Sequence, residues 1–242
     1  MLDNVFIFIS SLSLSFSCEQ RQANGDTYNH ASIGLLTFVA INGILVAAQV
    51  PFPGKCPEVK IMDTFDLEAY MGIWYEYSRY PFAFEIGKKC NYANYTIVDN
   101  STVSVVNAAI NQLFGNPTNV TGTAKVIAPA QLAVTFSQNQ KAEKPNYLVL
   151  GTDYDSYAVV YSCTSFLSLA HLKIVWILTR QRIPTEQALQ TAQKILDDNN
   201  ISKALLLETQ QENCPQLSGN VPIFDPVDGL VANLLPQAIE AA

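Results

Sequence analysis

A chain of 242 residues, 49% apolar and 14% charged, is long enough for one sizeable hydrophobic core, and we read it as one domain with appendages. It carries 14 basic and 21 acidic residues, a formal charge of −7; without residues 1–48 the counts are 13 and 18, or −5. That balance excludes nucleic acid and speaks against an anionic membrane as partner, since both select a basic surface.

The first 48 residues hold two apolar runs, Val5 to Phe16 and Ile33 to Ala48. The second ends in Val46-Ala47-Ala48 before Gln49, the length and small-residue exit of a secretory signal, which places cleavage after Ala48. It is too short, and too interrupted by Asn42 and Gly43, for a membrane span. The residues before it are foreign to a signal, so the 1–48 leader reads either as an upstream extension or as an uncleaved anchor. Residues 49–217 follow as the folded domain. A loosely ordered tail, 218–242, carries Pro222, Pro226 and Pro236.

Within the domain, Asp66 to Tyr70 reads as a short helical turn, with Asp66 accepting from its free amides and Gly72 ending it. Eight β-rich runs come next: Gly72 to Tyr80, Asn91 to Val98, Thr102 to Ile110, Asn119 to Ile127, Leu132 to Ser137, Asn146 to Thr152, Tyr157 to Cys163 and His171 to Arg180. Eight antiparallel strands with one apolar inner face close into an up-and-down barrel with room for one small ligand, an all-β fold class. Pro184 to Leu196 breaks the strand pattern and reads as one C-terminal helix packed outside the barrel. Thr185 is its cap, and Leu189, Ala192, Ile195 and Leu196 form its apolar stripe. Ala204 to Glu208 is a last strand.

Cys18 lies in the leader and Cys56, Cys90, Cys163 and Cys214 in the domain, an even set that reads as a disulfide framework with three alternative pairings. No Cys pair has short ligand spacing and the only histidines are His30 and His171, so no metal site is expected. Neither a Ser, His and Asp arrangement nor a Gly-rich phosphate loop is present, and we expect no enzyme. Asn94, Asn100, Asn119 and Asn200 head glycosylation acceptor patterns, whereas Pro117 excludes Asn116.

Three stretches add a resemblance: Gly72-Ile73-Trp74 with Glu76 after it, Thr152-Asp153-Tyr154-Asp155, and Arg180 following Trp176-Ile177-Leu178-Thr179. In this order the chain resembles the lipocalin family. Tyr70-Met71-Gly72-Ile73-Trp74-Tyr75-Glu76, Asn94-Tyr95-Thr96, Tyr157 to Cys163 and Asn213-Cys214-Pro215 are similar to its apolipoprotein D and insect bilin-binding, insecticyanin-like branch. The likeness runs from about Cys56 to Leu217. It implies a lipocalin barrel whose closed end gathers Gly72, Trp74, Thr152, Asp153, Tyr154 and Arg180, the Arg lying over the Trp in a structural role. It also implies bridges Cys56–Cys163 and Cys90–Cys214, which leave no thiol for nucleophilic chemistry, and it favours Asn94 among the glycosylation sites.

Tyr95, Asn107 and Trp176 resemble pocket residues of that branch, Trp176 sharing the parity of Ile174 and Leu178. Phe136, Tyr147 and Tyr161 are added to the ligand-binding set from size and strand position. An apolar wall with few polar groups orients a guest that carries one polar end. The resemblance thus implies a secreted, extracellular carrier of a small hydrophobic ligand, either a biliverdin-type pigment or a lipid, fatty acid or sterol. Lipid transport or oxidative-stress protection would be its role, with no cofactor beyond the ligand and with homo-oligomers allowed. The alternatives are a glycosylated surface adhesion lipocalin and a lipocalin isomerase, which requires a free thiol.

Overall fold

A computed structural model describes residues 51–82, 85–137, 143–166 and 168–217. The leader, its cleavage position after Ala48, Cys18 and the 218–242 tail lie outside the described residues. The strands are β1 (Pro51–Pro53), β2 (Gly72–Arg79), β3 (Lys88–Asp99), β4 (Thr102–Asn111), β5 (Pro117–Ala128), β6 (Gln131–Thr135), β7 (Tyr147–Thr152), β8 (Tyr157–Phe166), β9 (Ala170–Thr179) and β10 (Leu207–Glu208). Each of β2 to β9 pairs antiparallel with the next, and β9 returns to β2 through Tyr75↔Thr179 and Glu76↔Leu178, closing an eight-stranded barrel. Closure leaves the eight strands no free edge along most of their length.

Helix α1 (Leu67–Tyr70) sits at the entrance to β2, with Asp66 Oδ1 accepting from the Ala69 amide at 3.0 Å. Gly72 follows at φ +90°, a conformation that suits a residue without Cβ. Helix α2 (Glu186–Asp198) is capped by Thr185, whose hydroxyl accepts from the Ala188 amide at 3.3 Å. It lays Ala188, Ala192 and Leu196 on the outside of the barrel, where Ala192 and Leu196 join Leu150, Val159, Tyr161, Val175 and Ile177 in an outer cluster. The interior cluster is separate and contains Trp74, Tyr95, Val103, Val105, Ala124, Leu132, Val134, Val149, Val160 and Leu178.

Three features differ from the sequence reading. Short β1 is an extra strand that pairs with the start of β9. The stretch expected as a strand over Ala204 to Glu208 begins as a 3-10 turn, Lys203–Leu205, because Ser202 Oγ accepts from the Ala204 amide; only Leu207–Glu208 pairs with β2. Asn146, expected in a strand, precedes β7, and its side chain replaces the ladder there: Oδ1 accepts from the Val134 amide at 2.8 Å and Nδ2 donates to the Val134 carbonyl at 2.9 Å.

Two strand glycines are held by close approach of different kinds. A Cβ on Gly122 would meet the Thr135 carbonyl oxygen and stand 2.7 Å from Phe136 Cδ1, whereas one on Gly151 would meet Ile195 Cδ1, the end of a flexible side chain on α2. Backbone cannot retreat as a methyl can. Gly122→Ala is therefore expected to lower stability by about 3 kcal/mol and Gly151→Ala by under about 1 kcal/mol. Equal losses in urea denaturation of the two variants would contradict this.

Candidate ligand-binding site

The closed end is stitched by one guanidinium. Arg180 lies 3.8 Å from the Trp74 ring centroid and donates to three carbonyls: Tyr154 at 2.8 Å, Ile73 at 2.9 Å and Ala69 at 3.0 Å. Trp74, fully buried, donates its indole N–H to the Tyr70 carbonyl at 2.8 Å. A Cβ on Gly72 would stand 3.5 Å from Arg180, so the small residue lets the guanidinium lie flat. The 152–157 turn completes this end. Thr152 Oγ1 donates to the Tyr157 carbonyl, Asp153 Oδ1 accepts from the Ser156 and Tyr157 amides, and Tyr154 takes φ +69°. Burial opposes the Asp153 charge, but donation from Ser156, Tyr157 and Asp155 prevails and holds its carboxyl below the ordinary value.

Directly above this floor three tyrosine hydroxyls form a chain. Tyr147 Oη lies 2.8 Å from Tyr70 Oη and 3.0 Å from Tyr95 Oη. Burial is the leading cause that raises all three pKa values: Tyr95 to about 12, Tyr70 and Tyr147 well above the ordinary 10.0. All three hydroxyls are therefore neutral at physiological pH. They share three hydrogens, of which two serve the internal bonds; one donor is left for a guest oxygen. A void of about 10 Å³, room for about one water, adjoins them, lined by the three tyrosines with Met71, Val103, Ala124, Leu132 and Val134.

That void is narrower than the expected room for a whole ligand. Pockets for drug-sized molecules span about 300–1,000 Å³, and the tyrosine rings occupy the floor here. Of the residues singled out by sequence, Tyr95 and Tyr147 are at the void, and Phe136 lies in the interior cluster against Gly122. Asn107, half-buried, has the parity of inward Val103 and Val105, and Trp176 packs on the interior cluster with Phe82 at 6.4 Å. Tyr161 is a correction. It pairs with Val175 and packs with Tyr80, Ala192 and Leu196 under α2, on the outer face, so it does not line the interior.

Sequence reasoning missed Tyr70 and a second buried polar group on the β2 and β3 wall. Glu76, 5% exposed, accepts from Asn91 Nδ2 at 3.2 Å and from Thr209 Oγ1, and lies 3.5 Å from Arg79. Arg79 is also ion-paired with Glu85 and donates to the Glu85 carbonyl. Gln211 Nε2 donates to the Glu76 and Asn91 carbonyls, which docks the C-terminal segment onto this group. The signal available was Glu76 beside the Gly-x-Trp motif, with Arg79 three residues on.

The Glu85 carboxyl is pushed well above its ordinary range by burial and then by Glu76, while Arg79 and Lys88 pull it back. A pKa raised on folding contributes stability fully below the unfolded value of about 4.3, and that contribution is lost as pH rises through the folded value. Relative to Glu85→Gln, the wild-type protein should therefore lose stability as pH climbs from about 4 upward. Thermal melts of both across that range check this; parallel curves would contradict it.

Two disulfides tie the ends to the barrel. Cys56 joins Cys163 on β8 at Cα–Cα 5.9 Å, and Cys90 on β3 joins Cys214 at 5.6 Å. All four cysteines among the described residues are thus bridged. Of the glycosylation candidates, Asn100 and Asn200 are exposed, while Asn94 and Asn119 are half-buried in β3 and β5. No group of three or more metal-ligating side chains and no helix long and apolar enough to cross a membrane occurs among the described residues.

A closed antiparallel barrel with a stapled floor and an apolar, tyrosine-lined interior defines a small-molecule binding barrel. The lipocalin-like domain family matches residues 65–211. Apolipoprotein D of Cavia porcellus is 39% identical over 168 residues, 67% of this chain and 85% of that protein. Insecticyanin-B of Manduca sexta is 30% identical over 154 residues, 62% of this chain and 74% of its own. The solved structure of insecticyanin from the tobacco hornworm superposes with a TM-score of 0.60 at 26% identity, covering 67% of this chain and 89% of that one. The chain belongs to the lipocalin family.

Proposed function

We propose that the protein is a secreted carrier that holds a small hydrophobic molecule with one oxygen-bearing end inside its barrel. The observation that carries this is the Tyr70–Tyr147–Tyr95 hydroxyl chain beside an apolar void, which offers one donor to a guest in otherwise greasy surroundings. The polar end sits at the tyrosines and the apolar body extends past Asn107, Phe136 and Trp176 toward the open end, which requires those side chains to give way. Two bridges fit an oxidising, extracellular compartment. Residues 1–48 then act as a leader containing the signal and 218–242 as a tail, and Asn94, Asn100, Asn119 and Asn200 are its candidate glycan sites.

Ligand entry is read from the tryptophans. Titrating a fatty acid, a sterol or biliverdin should change Trp emission in the wild type and in Trp74→Phe, and this change should vanish in Trp176→Phe. Tyr147→Phe should weaken a guest with a carbonyl or hydroxyl by about tenfold and leave an unsubstituted hydrocarbon unaffected. An undiminished response in Trp176→Phe would place the guest elsewhere. Visible absorption of the protein purified from its source separates pigment from lipid, a long-wavelength band marking a bilin.

A further inference from the structure

Strands β2 and β3 separate partway up the barrel. Their pairing ends at Tyr75↔Tyr92, and nearer the open end β2 pairs instead with β10, through Arg79↔Leu207 and Ser78↔Glu208. The Thr209 amide continues that ladder to the Tyr77 carbonyl at 2.9 Å, and from the other side the Cys90 amide of β3 donates to the Gln210 carbonyl at 2.9 Å. Residues 207–210 thus fill the split as a strand between two others. At its apex the Glu76 and Asn91 carbonyls both accept from Gln211 Nε2, while Gln211 Oε1 accepts from Arg182 at 2.6 Å. Cys214 then bridges to Cys90.

This strip of wall is held differently from the rest. Leu207 is 51% exposed, Glu208 to Glu212 are all polar, and no residue from 207 to 214 belongs to either hydrophobic cluster. A segment kept in place by hydrogen bonds without buried apolar side chains has low local stability. The covalent tether therefore decides whether it stays. Behind it the inner face is polar: Glu76, Arg79 and Asn91 are buried, and Asn91 Oδ1 has no partner among the described residues. Such groups are costly behind a permanent wall and are relieved by water once the wall opens. With the strap gone, β2 and β3 stand two strand spacings apart, about 10 Å. The slot leads past Glu76 to Trp74 and the interior.

We propose that residues 207–214 form a redox-locked door over a side portal into the barrel, unlocked when a dithiol exchanges with the Cys90–Cys214 bridge. Cys214 is half-buried and Cys90 is buried, so the incoming thiolate reaches Cys214 Sγ and Cys90 leaves as thiolate. The second thiol of the dithiol then displaces Cys214. The dithiol ends oxidised to its own disulfide, and the two cysteines end reduced, carrying the two protons it gave up. Passage of a guest through the portal rests on the carrier reading; the opening of the door does not.

The two bridges close loops of similar length, so Cys56→Ser/Cys163→Ser controls for lost stability alone. In Cys90→Ser/Cys214→Ser, deuterium exchange at the Thr209 amide should accelerate roughly a hundredfold more than at the amides of β8. In the control the two should rise together. Adding Trp176→Phe leaves Trp74 as the remaining tryptophan, and its quenching by acrylamide should rise several-fold in Cys90→Ser/Cys214→Ser but not in the control. Dithiothreitol added to Cys56→Ser/Cys163→Ser, whose remaining bridge is Cys90–Cys214, should release Thr209 in the same way, and reoxidation should restore its protection. Thr209 exchange that tracks β8 in both variants, or a Trp74 still shielded after the strap is freed, would overturn the proposal. A door that opens by these readouts while fatty acid, sterol and biliverdin leave Trp176 emission unmoved sinks the carrier reading and leaves the portal standing.

Discussion

Replacing Cys56 and Cys163 together by serine is expected to lower the unfolding free energy by about 4–5 kcal/mol. The bridge spans 107 residues, so its loss frees a long loop in the unfolded chain. It also releases the segment that carries β1, whose remaining ties include three paired positions on β9, the Gly54 amide donating to the Leu169 carbonyl at 2.8 Å and the Cys56 amide donating to Ser165 Oγ at 2.8 Å. Serine at both positions avoids a stray thiol. The Cys90–Cys214 bridge spans 124 residues, and loop entropy alone makes it nearly equal. Guanidinium denaturation measures both double variants. A loss under about 1 kcal/mol for Cys56/Cys163 would mean that the unfolded chain is already constrained in some other way.

Arg180→Ala is expected to cost about 3–5 kcal/mol, and Arg180→Lys about 2–3 kcal/mol. Alanine removes a guanidinium that bonds three carbonyls from three segments and covers the Trp74 ring. Lysine keeps the charge but has no planar fork, so it reaches one or two of those carbonyls and cannot lie flat on the indole. Because Trp74 holds the Tyr70 carbonyl and Tyr70 holds Tyr147, loosening the floor should propagate to the hydroxyl chain. Ligand affinity should fall in Arg180→Ala even at temperatures where the variant stays folded. Melting curves with and without ligand check both parts; an Arg180→Ala protein as stable as wild type would contradict the account.

Most of the barrel was legible because its strands obey one rule, inward apolar and outward mixed, punctuated by turn residues. The rule fails where both faces are covered. Tyr147-Leu148-Val149-Leu150 is apolar throughout because Tyr147 and Val149 face the interior while Leu148 and Leu150 lie in the cluster beneath α2. The same two-sided cover misplaced Tyr161: on β8, Ala158 and Val160 face in and Val159 and Tyr161 face the helix, and either set would satisfy an apolar pattern.

Tyr70 escaped for a different reason. It stands on a four-residue helix, where no strand alternation marks it, and only the fold brings its hydroxyl to a residue 77 positions away. Glu76 and Arg79 were hidden by a bulge: the register shifts between Glu76 and Ser78, so residues three apart pair with Leu178 and Trp176, which share the inward parity. An ideal strand would send them to opposite faces. Void size could not be read at all, since it depends on how three tyrosine rings settle against one another.

The central claim is that this barrel carries one guest in its interior. Native mass spectrometry of the protein from its source, before and after denaturing extraction, measures that directly. The account predicts a complex with one small molecule per chain, lost on extraction, whose body is apolar and which bears an oxygen able to accept from a tyrosine. A protein that shows only its own mass from source, and whose Trp176 emission is unmoved by fatty acid, sterol and biliverdin, would contradict it.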